Sequence, residues 1–128
     1  MRFRYTILYV EDVAEAVAFY RGAFGLECTL LHESGDYAEM DTGGTKLAFG
    51  SLELMRGLGK KVAAAADAPA SFEIAFETDD VEGALERALN CGAELVQGAE
   101  AMPWGQTISY VRDLNGFLVE LCSPVTGP

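Results

Sequence analysis

Two carboxylates, Glu73 and Glu120, stand in the middle of short apolar runs that are typical of β-strands. The runs are residues 72–76 (FEIAF) and 117–121 (FLVEL). A charged side chain in such a run costs several kcal/mol unless it is paired, hydrated or bound to a ligand. A carboxylate that faces a cavity can act as a general base, accept hydrogen bonds from a cation, or bind a hard divalent metal. Glu73 and Glu120 are therefore the first candidates for a working site.

The alternation of side chains along a strand predicts where these carboxylates point. Successive residues of a strand face opposite sides of its sheet. Ile74 and Val119, the apolar neighbours, are expected to face covering helices. Glu73 and Glu120 are therefore expected to face the other side, into a concavity.

The elements that must position them form two similar halves. Each half reads as a strand, an N-capping aspartate (Asp12 or Asp80), a helix with an apolar stripe, and three short strands. An offset of 68 residues places Tyr5 on Glu73, and an offset of 72 places Ala48 on Glu120. The four inward positions of the duplicated unit thus hold Tyr, Ala, Glu and Glu.

This pattern predicts an α+β fold of two βαβββ modules that form a curved mixed sheet with the helices outside. Neither module can cover both faces of its own sheet, so two modules are expected to share one domain over residues 1–128. The pattern is lost from residue 51 to residue 69. We expect module 1 at 1–54, a linker or lid at 55–69, and module 2 at 70–128.

Composition limits the classes of partner. The formal net charge is −11 and the pI is about 4.3, which argues against nucleic acid and anionic membranes, because both require a basic surface. A cationic ligand is compatible with this charge. Three cysteines without a CxxC motif argue against a disulfide framework, and no run of 18 apolar residues is present. We expect a cytoplasmic protein.

Several motifs carry a resemblance to a known family. They are residues 8–13 (LYVEDV), 24–26 (FGL), 103–106 (PWGQ) and 111–121 (VRDLNGFLVEL). In this order the chain resembles the vicinal oxygen chelate superfamily, which includes glyoxalase I, bleomycin resistance proteins, fosfomycin resistance enzymes and ring-cleaving dioxygenases. The resemblance implies the paired-module fold and a homodimer, since related folds often build their cavities across a two-fold interface. It does not select an activity.

The resemblance also maps a family metal site onto this chain. Metal-dependent members carry His and Glu ligands at the four inward positions, which here are Tyr5, Ala48, Glu73 and Glu120. Only Glu120 matches well, and the single histidine, His32, excludes a multi-histidine site within one subunit. Two carboxylates would hold Mg²⁺ or Mn²⁺ weakly and do not make a zinc or nickel glyoxalase site. We expect an incomplete metal site and no firmly held cofactor.

Aromatic residues complete the list of candidates. Trp104 lies in a Pro-Trp-Gly segment that is similar to one near the ligand groove of bleomycin resistance proteins. It either stacks on a planar or cationic ligand or anchors its own loop by packing. Tyr5 and Tyr110 are candidate ligand-binding residues, or ordinary strand tyrosines.

Two function hypotheses follow. The first is a glyoxalase/bleomycin-resistance-type protein that binds a small polar or cationic molecule in an acidic cavity between modules. The second is a divalent-metal-assisted lyase, isomerase or dioxygenase, but not a standard glyoxalase I, in which Glu73 and Glu120 are ligands and one is the catalytic base. A structural dimer with an inactive site is a third reading, in which Glu120→Leu would stabilise the fold.

Overall fold

The structure, a computed structural model, describes residues 1–125. Residues 126–128, the end of the predicted module 2, lie outside the described residues. The elements in chain order are β1 (Tyr5–Val10), α1 (Val13–Phe24), β2 (Cys28–Leu31), β3 (Tyr37–Met40), β4 (Lys46–Ser51), α2 (Leu52–Gly57), a 3₁₀ turn (Ala65–Asp67), β5 (Ile74–Glu77), α3 (Val81–Asn90), β6 (Glu94–Ala101), β7 (Thr107–Arg112) and β8 (Leu118–Cys122).

The strands form two four-stranded sheets with the same topology. Their orders are β1-β4-β3-β2 and β5-β8-β7-β6. In each sheet the first strand pairs in parallel with the last, and the remaining pairs are antiparallel. Thr6 pairs with Leu47 in the first sheet and Ile74 with Val119 in the second, which matches the offsets of 68 and 72 residues. The predicted α+β fold of two βαβββ modules is confirmed.

The main helices begin at equivalent caps. The Asp12 side chain accepts a hydrogen bond from the Glu15 amide, and the Asp80 side chain accepts one from the Gly83 amide. Such caps satisfy backbone donors that the first turn of a helix leaves free. Helix α1 ends at Gly25, whose φ of 70° is easily adopted by glycine. The local sequence therefore sets where each covering helix starts.

An aromatic core joins the two modules. The Phe24 ring of α1 stacks on Phe76 of β5 with ring centroids 4.9 Å apart, and Tyr20 lies 4.9 Å from Phe49 of β4. Helices α1 and α3 also pack against each other. Buried aromatic side chains contribute a large share of the stabilisation energy of a core. The helix-covered sides of both sheets thus contribute to one continuous apolar region.

A buried polar contact also crosses between the modules. The Tyr20 hydroxyl donates to Asp113 Oδ2 at 2.6 Å, while Asp113 Oδ1 accepts the amides of Asn115 and Phe117 at 2.9 Å each. The Glu11 amide donates to Asn115 Oδ1 at 3.0 Å. Burial raises the pKa of Asp113 and of Tyr20. The β7–β8 turn is thereby held against the start and middle of α1.

The segment between the modules is more ordered than the sequence predicts. Helix α2 begins at the Ser51 cap and crosses the predicted boundary at residue 54, with Met55 buried over Gly50. Further on, the backbone of Ala66 lies directly over Gly116, where an added Cβ would come within 3.0 Å of the Ala66 Cα. The linker is therefore seated on the protein at both ends. Within residues 1–125, no helix is long and apolar enough to cross a membrane.

Candidate functional site

The second sheet brings Tyr110 and Glu120 together on the face opposite the helices. The two residues are direct partners in the β7–β8 register, and the Tyr110 hydroxyl donates to Glu120 Oε1 at 3.0 Å. Val119 and Leu121, on either side of Glu120, are buried on the helix-covered face. Glu120 is half-buried on the other face, which is the orientation that strand alternation predicts.

Glu73 also affects the pKa of the Tyr110 hydroxyl. Burial raises the pKa of Tyr110, followed by its hydrogen bond to Glu120 and the charge of that carboxylate. The nearby charge of Glu73 raises the pKa of Tyr110 further. Tyr110 therefore stays a neutral phenol at physiological pH and can donate its single proton to one carboxylate at a time. Glu73, Tyr110 and Glu120 form one group, which we call the acidic cluster.

No Lys, Arg or His nitrogen lies within salt-bridge distance of this cluster in the part of the chain that the structure describes. The one salt bridge there joins Lys46 to Glu39, in the other sheet. Glu73 is exposed, and Glu120 has Tyr110 as its hydrogen-bond donor. The acidic cluster thus carries two carboxylates without a salt-bridge partner among residues 1–125.

Tyr5 lies in a second polar group, on the first sheet. Tyr37 donates to Glu39 Oε2 at 2.9 Å, and Lys46 Nζ lies 3.7 Å from Glu39 Oε1. Burial, then the Glu39 carboxylate, and then Tyr5 raise the pKa of Tyr37 to about 12. The Arg4 guanidinium carbon lies 5.5 Å from the centroid of the Tyr5 ring. We call Tyr5, Tyr37, Glu39 and Lys46 the compensated cluster, because its carboxylate already has a cation.

Sequence reasoning missed Glu39, although a pattern pointed to it. Glu39 alternates with the buried residues Ala38 and Met40, as Glu120 does with its neighbours. In the register it lies directly opposite Ala48, the inward position that lacks a side-chain ligand. Module 1 therefore presents its carboxylate from the neighbouring strand, β3.

Trp104 lies apart from both clusters in the β6–β7 turn. Its side chain is 54% exposed, and its indole Nε1 donates to Gln106 Oε1 at 2.8 Å. The described contacts of Tyr5, Trp104 and the acidic cluster thus lie in three different regions of the chain. Cavities of about 580 and 230 Å³ flank the linker near Gly116 instead. The acidic cluster is a surface in a single chain, rather than the lining of a closed pocket.

The donor set does not fit a firmly held metal ion. No group of three or more His, Cys, Asp or Glu side chains suited to a metal occurs among residues 1–125. The acidic cluster offers two carboxylates and a phenol that stays protonated. Zinc sites use at least three protein ligands from His, Cys and carboxylate side chains, and the two carboxylates of this cluster do not supply that number.

Comparison with known proteins identifies the family. The model of the Glyoxalase/Bleomycin resistance protein/Dioxygenase superfamily matches residues 2–121. The chain belongs to this superfamily. The resemblance drawn from the sequence motifs is thereby confirmed.

Individual relatives support the fold of this superfamily member. It is 27% identical over 120 residues to the uncharacterized protein YraH of Bacillus subtilis (strain 168), covering 89% of this chain and 91% of the relative. The crystal structure of a glyoxalase-related enzyme from Fulvimarina pelagi matches with a TM-score of 0.85 at 23% identity, covering 100% of this chain and 91% of that one. TioX from Micromonospora sp. ML1 matches with a TM-score of 0.73 at 26% identity, covering 96% and 98%.

Proposed function

We propose that this superfamily member is a binding protein for a small polar or cationic molecule, which its acidic cluster recognises without a firmly held metal. The observation that carries the proposal is the arrangement of Glu73 and Glu120 around the one hydroxyl of Tyr110. No salt-bridge partner accompanies the two carboxylates within residues 1–125. A half-buried carboxylate without a counter-ion favours the approach of a cation, because the ligand restores the balance of charge.

The cluster can orient a ligand as well as attract it. Tyr110 holds one oxygen of Glu120, which leaves the other oxygen free to accept a hydrogen bond from an ammonium or amidinium group. A hydrogen bond to a charged group stabilises a complex by about 1.5–3 kcal/mol. The net charge of −11 also raises the local concentration of cations around the protein.

We also propose that the working form is a homodimer. Three apolar side chains of the first sheet lie on the face away from α1 and are strongly exposed: Tyr5 at 44%, Ile7 at 41% and Leu30 at 44%. Tyr5 and Ile7 lie on the edge strand β1 and Leu30 on the opposite edge strand β2, on either side of the compensated cluster, and exposed apolar side chains around a polar centre favour an interaction surface. Covering it with a second copy would turn the open acidic surface into a cavity. Light scattering at several protein concentrations tests this state, and a monomer at every concentration would contradict it.

The direct test of the binding proposal compares charge variants. Wild type is screened by thermal shift against matched pairs of aromatic ammonium ions and their neutral alcohols, followed by calorimetric titration. Glu120→Gln and Glu73→Gln should each weaken binding of the cation at least tenfold, because each loses a charge-assisted contact. Glu86→Gln, on the exposed surface of α3, changes the net charge equally and should leave the affinity unchanged. Equal affinity for ammonium and alcohol would contradict the proposal.

The second candidate is a divalent-metal-assisted lyase, isomerase or dioxygenase that uses Glu73 and Glu120. One observation favours it: both carboxylates interact with the same phenol and so lie near one point. The two candidates differ in metal content. Protein purified without chelator is analysed for metal and then titrated with Mg²⁺, Mn²⁺, Ni²⁺ and Zn²⁺. One tightly bound ion per site that disappears in Glu120→Ala would replace the binding proposal with the enzymatic one.

A further inference from the structure

Arg112 lies next to the acidic cluster on the same face of the second sheet. In the β7–β8 register Tyr110 is opposite Glu120, and Arg112 is opposite Leu118. Val111, between Tyr110 and Arg112, is fully buried on the helix-covered side. Because successive residues of a strand face opposite sides, Arg112 shares the face of Tyr110 and lies about 7 Å from it along the strand. The acidic cluster therefore has a cationic neighbour that is too far away for a salt bridge.

The guanidinium of Arg112 has no acceptor among the described residues. Arg112 is half-buried, and no hydrogen bond or salt bridge to its side chain occurs within residues 1–125. The adjacent Asp113 is already occupied, because its carboxylate accepts hydrogen bonds from the Tyr20 hydroxyl and from two amides of the turn. Glu94 is opposite Arg112 in the β6–β7 register, but its side chain is exposed and lies beyond salt-bridge distance. The donors of a half-buried cation are thus available to a ligand.

Arg112 also lines a cavity that is large enough for a small molecule. This cavity of about 580 Å³ lies between the linker and the β7–β8 turn, where Ala66 rests on Gly116. Asp67 and Glu94 line it as well, so a free anion meets two negative charges together with one positive charge. The net charge of −11 repels a free anion further. A molecule that is neutral overall, with one positive and one negative group, is not repelled in this way.

We infer that Arg112 binds a carboxylate of the same ligand whose ammonium group is bound by the acidic cluster, so that the ligand is a zwitterion. A guanidinium binds a carboxylate through two parallel hydrogen bonds, a geometry that a lysine ammonium does not offer. The apolar Leu118 lies opposite Arg112 and two residues from Glu120 on the same face. The ligand class is therefore an amino carboxylate with a short aliphatic segment between its charges. This inference rests on the proposed function of the acidic cluster.

The first arm of the test titrates the protein with ω-amino acids from glycine to ε-aminocaproate and with their amides, which keep the ammonium group but lose the negative charge. Wild type should bind the best amino acid about tenfold more tightly than its amide. Arg112→Gln should abolish this preference, and Arg112→Lys should restore it only in part. Arg21→Gln, on the exposed surface of α1, changes the net charge equally and should keep the full preference. An equal preference in wild type and Arg112→Gln overturns the inference.

Glu94→Gln tests whether Arg112 serves its cross-strand neighbour instead of a ligand. If the guanidinium is available, removing the Glu94 charge should leave the preference for the amino acid unchanged or increase it, because one repulsive charge is lost. Loss of the preference in Glu94→Gln would show that Glu94, and not a ligand, determines the role of Arg112, and would overturn the inference.

The second arm uses wild type alone and so does not depend on the folding of a variant. The Nε–H resonance of Arg112, assigned in an NMR spectrum by correlation to its backbone amide, should shift on addition of ε-aminocaproate and not on addition of its amide. Absence of that shift at saturation overturns the inference. Ammonium binding that requires Glu120 but gains nothing from a carboxylate overturns the inference and leaves the proposed function in place. Failure of wild type to bind either series overturns both.

Discussion

Removing the Tyr20 hydroxyl should loosen the junction between the two modules. This hydroxyl donates to the buried carboxylate of Asp113 at 2.6 Å, and it is the described side-chain hydrogen bond that joins α1 to the β7–β8 turn. Tyr20→Phe keeps the ring and its contacts with Phe24 and Phe49. A hydrogen bond to a charged group is worth about 1.5–3 kcal/mol, and the remaining acceptor stays buried. We expect a loss of about 2 kcal/mol in the free energy of unfolding.

The chain offers a matched control in Tyr37→Phe. Tyr37 makes the same type of bond, to Glu39 at 2.9 Å, but this bond is only partly buried, and Glu39 keeps Lys46 as a partner when the hydroxyl is removed. Tyr37→Phe should lower the free energy of unfolding by at most about 1 kcal/mol. Urea unfolding of both variants at neutral pH measures the difference directly, with the slope confirming a two-state transition. If the two variants are equally stable, burial of the Tyr20–Asp113 bond does not strengthen the junction, and the reasoning fails.

Three further predictions concern single sites. Gly116→Ala should destabilise the protein by about 1–3 kcal/mol, because its φ of 93° is combined with a close contact to the linker, whereas Gly43→Ala, with a φ of 99° and open space, should cost less in the same urea assay. Burial raises the pKa of Asp113 above its ordinary value of 3.8. The stability that this group contributes is therefore complete below pH 3.8 and is lost as the pH rises through the pKa of the folded state. The free energy of unfolding of wild type, measured relative to that of Asp113→Asn, should fall over this range. In an ultraviolet titration, Glu120→Gln should lower the pKa of Tyr110 but leave it above 10.0, because burial, the larger cause, persists.

The fold was accessible from the sequence because its determinants are local and are repeated. The capping aspartates Asp12 and Asp80 recur at a constant offset, and the apolar alternation around Glu120 defines one covered face. Each of these features acts within a few residues. The duplication of these features then explains the topology. A module with one open sheet edge and only one covered face must pack against a second module.

The sequence pattern did not define helix α2, which crosses the predicted boundary at residue 54, because its stability comes from tertiary contact. It has six residues, too few for an isolated helix to be stable in water. Its burial depends on Met55 lying over Gly50, a position where any Cβ would collide with the methionine. The sequence around residue 51 shows no periodic stripe of useful length. The sequence pattern therefore indicates no element directly after residue 51, although the chain forms a helix there.

The site was predicted only in part, because its chemistry depends on partners that are distant in sequence. Parity along the strand predicted the side of the sheet to which Glu120 points, but not that Tyr110 would be its cross-strand donor. The sequence also does not distinguish a compensated carboxylate from a free one. Glu39 and Glu120 occur in similar short strands, yet only Glu39 has Lys46 within salt-bridge distance among the described residues.

Under the proposed function, this difference between the two modules should decide which one recognises a charged ligand. Each sheet has a tyrosine-bound carboxylate on the face away from its helix, at 2.9 and 3.0 Å, although the two pairs occupy non-equivalent strand positions. In the first sheet Lys46 balances Glu39, so a cation gains little there and the exposed Tyr5 offers mainly an aromatic surface. In the second sheet Glu73 adds a further negative charge beside Tyr110. A ligand that meets both faces should therefore place its cationic group on the second sheet and its apolar body on the first, and a double substitution that removes Lys46 and adds a cation beside Glu120 should reverse that preference.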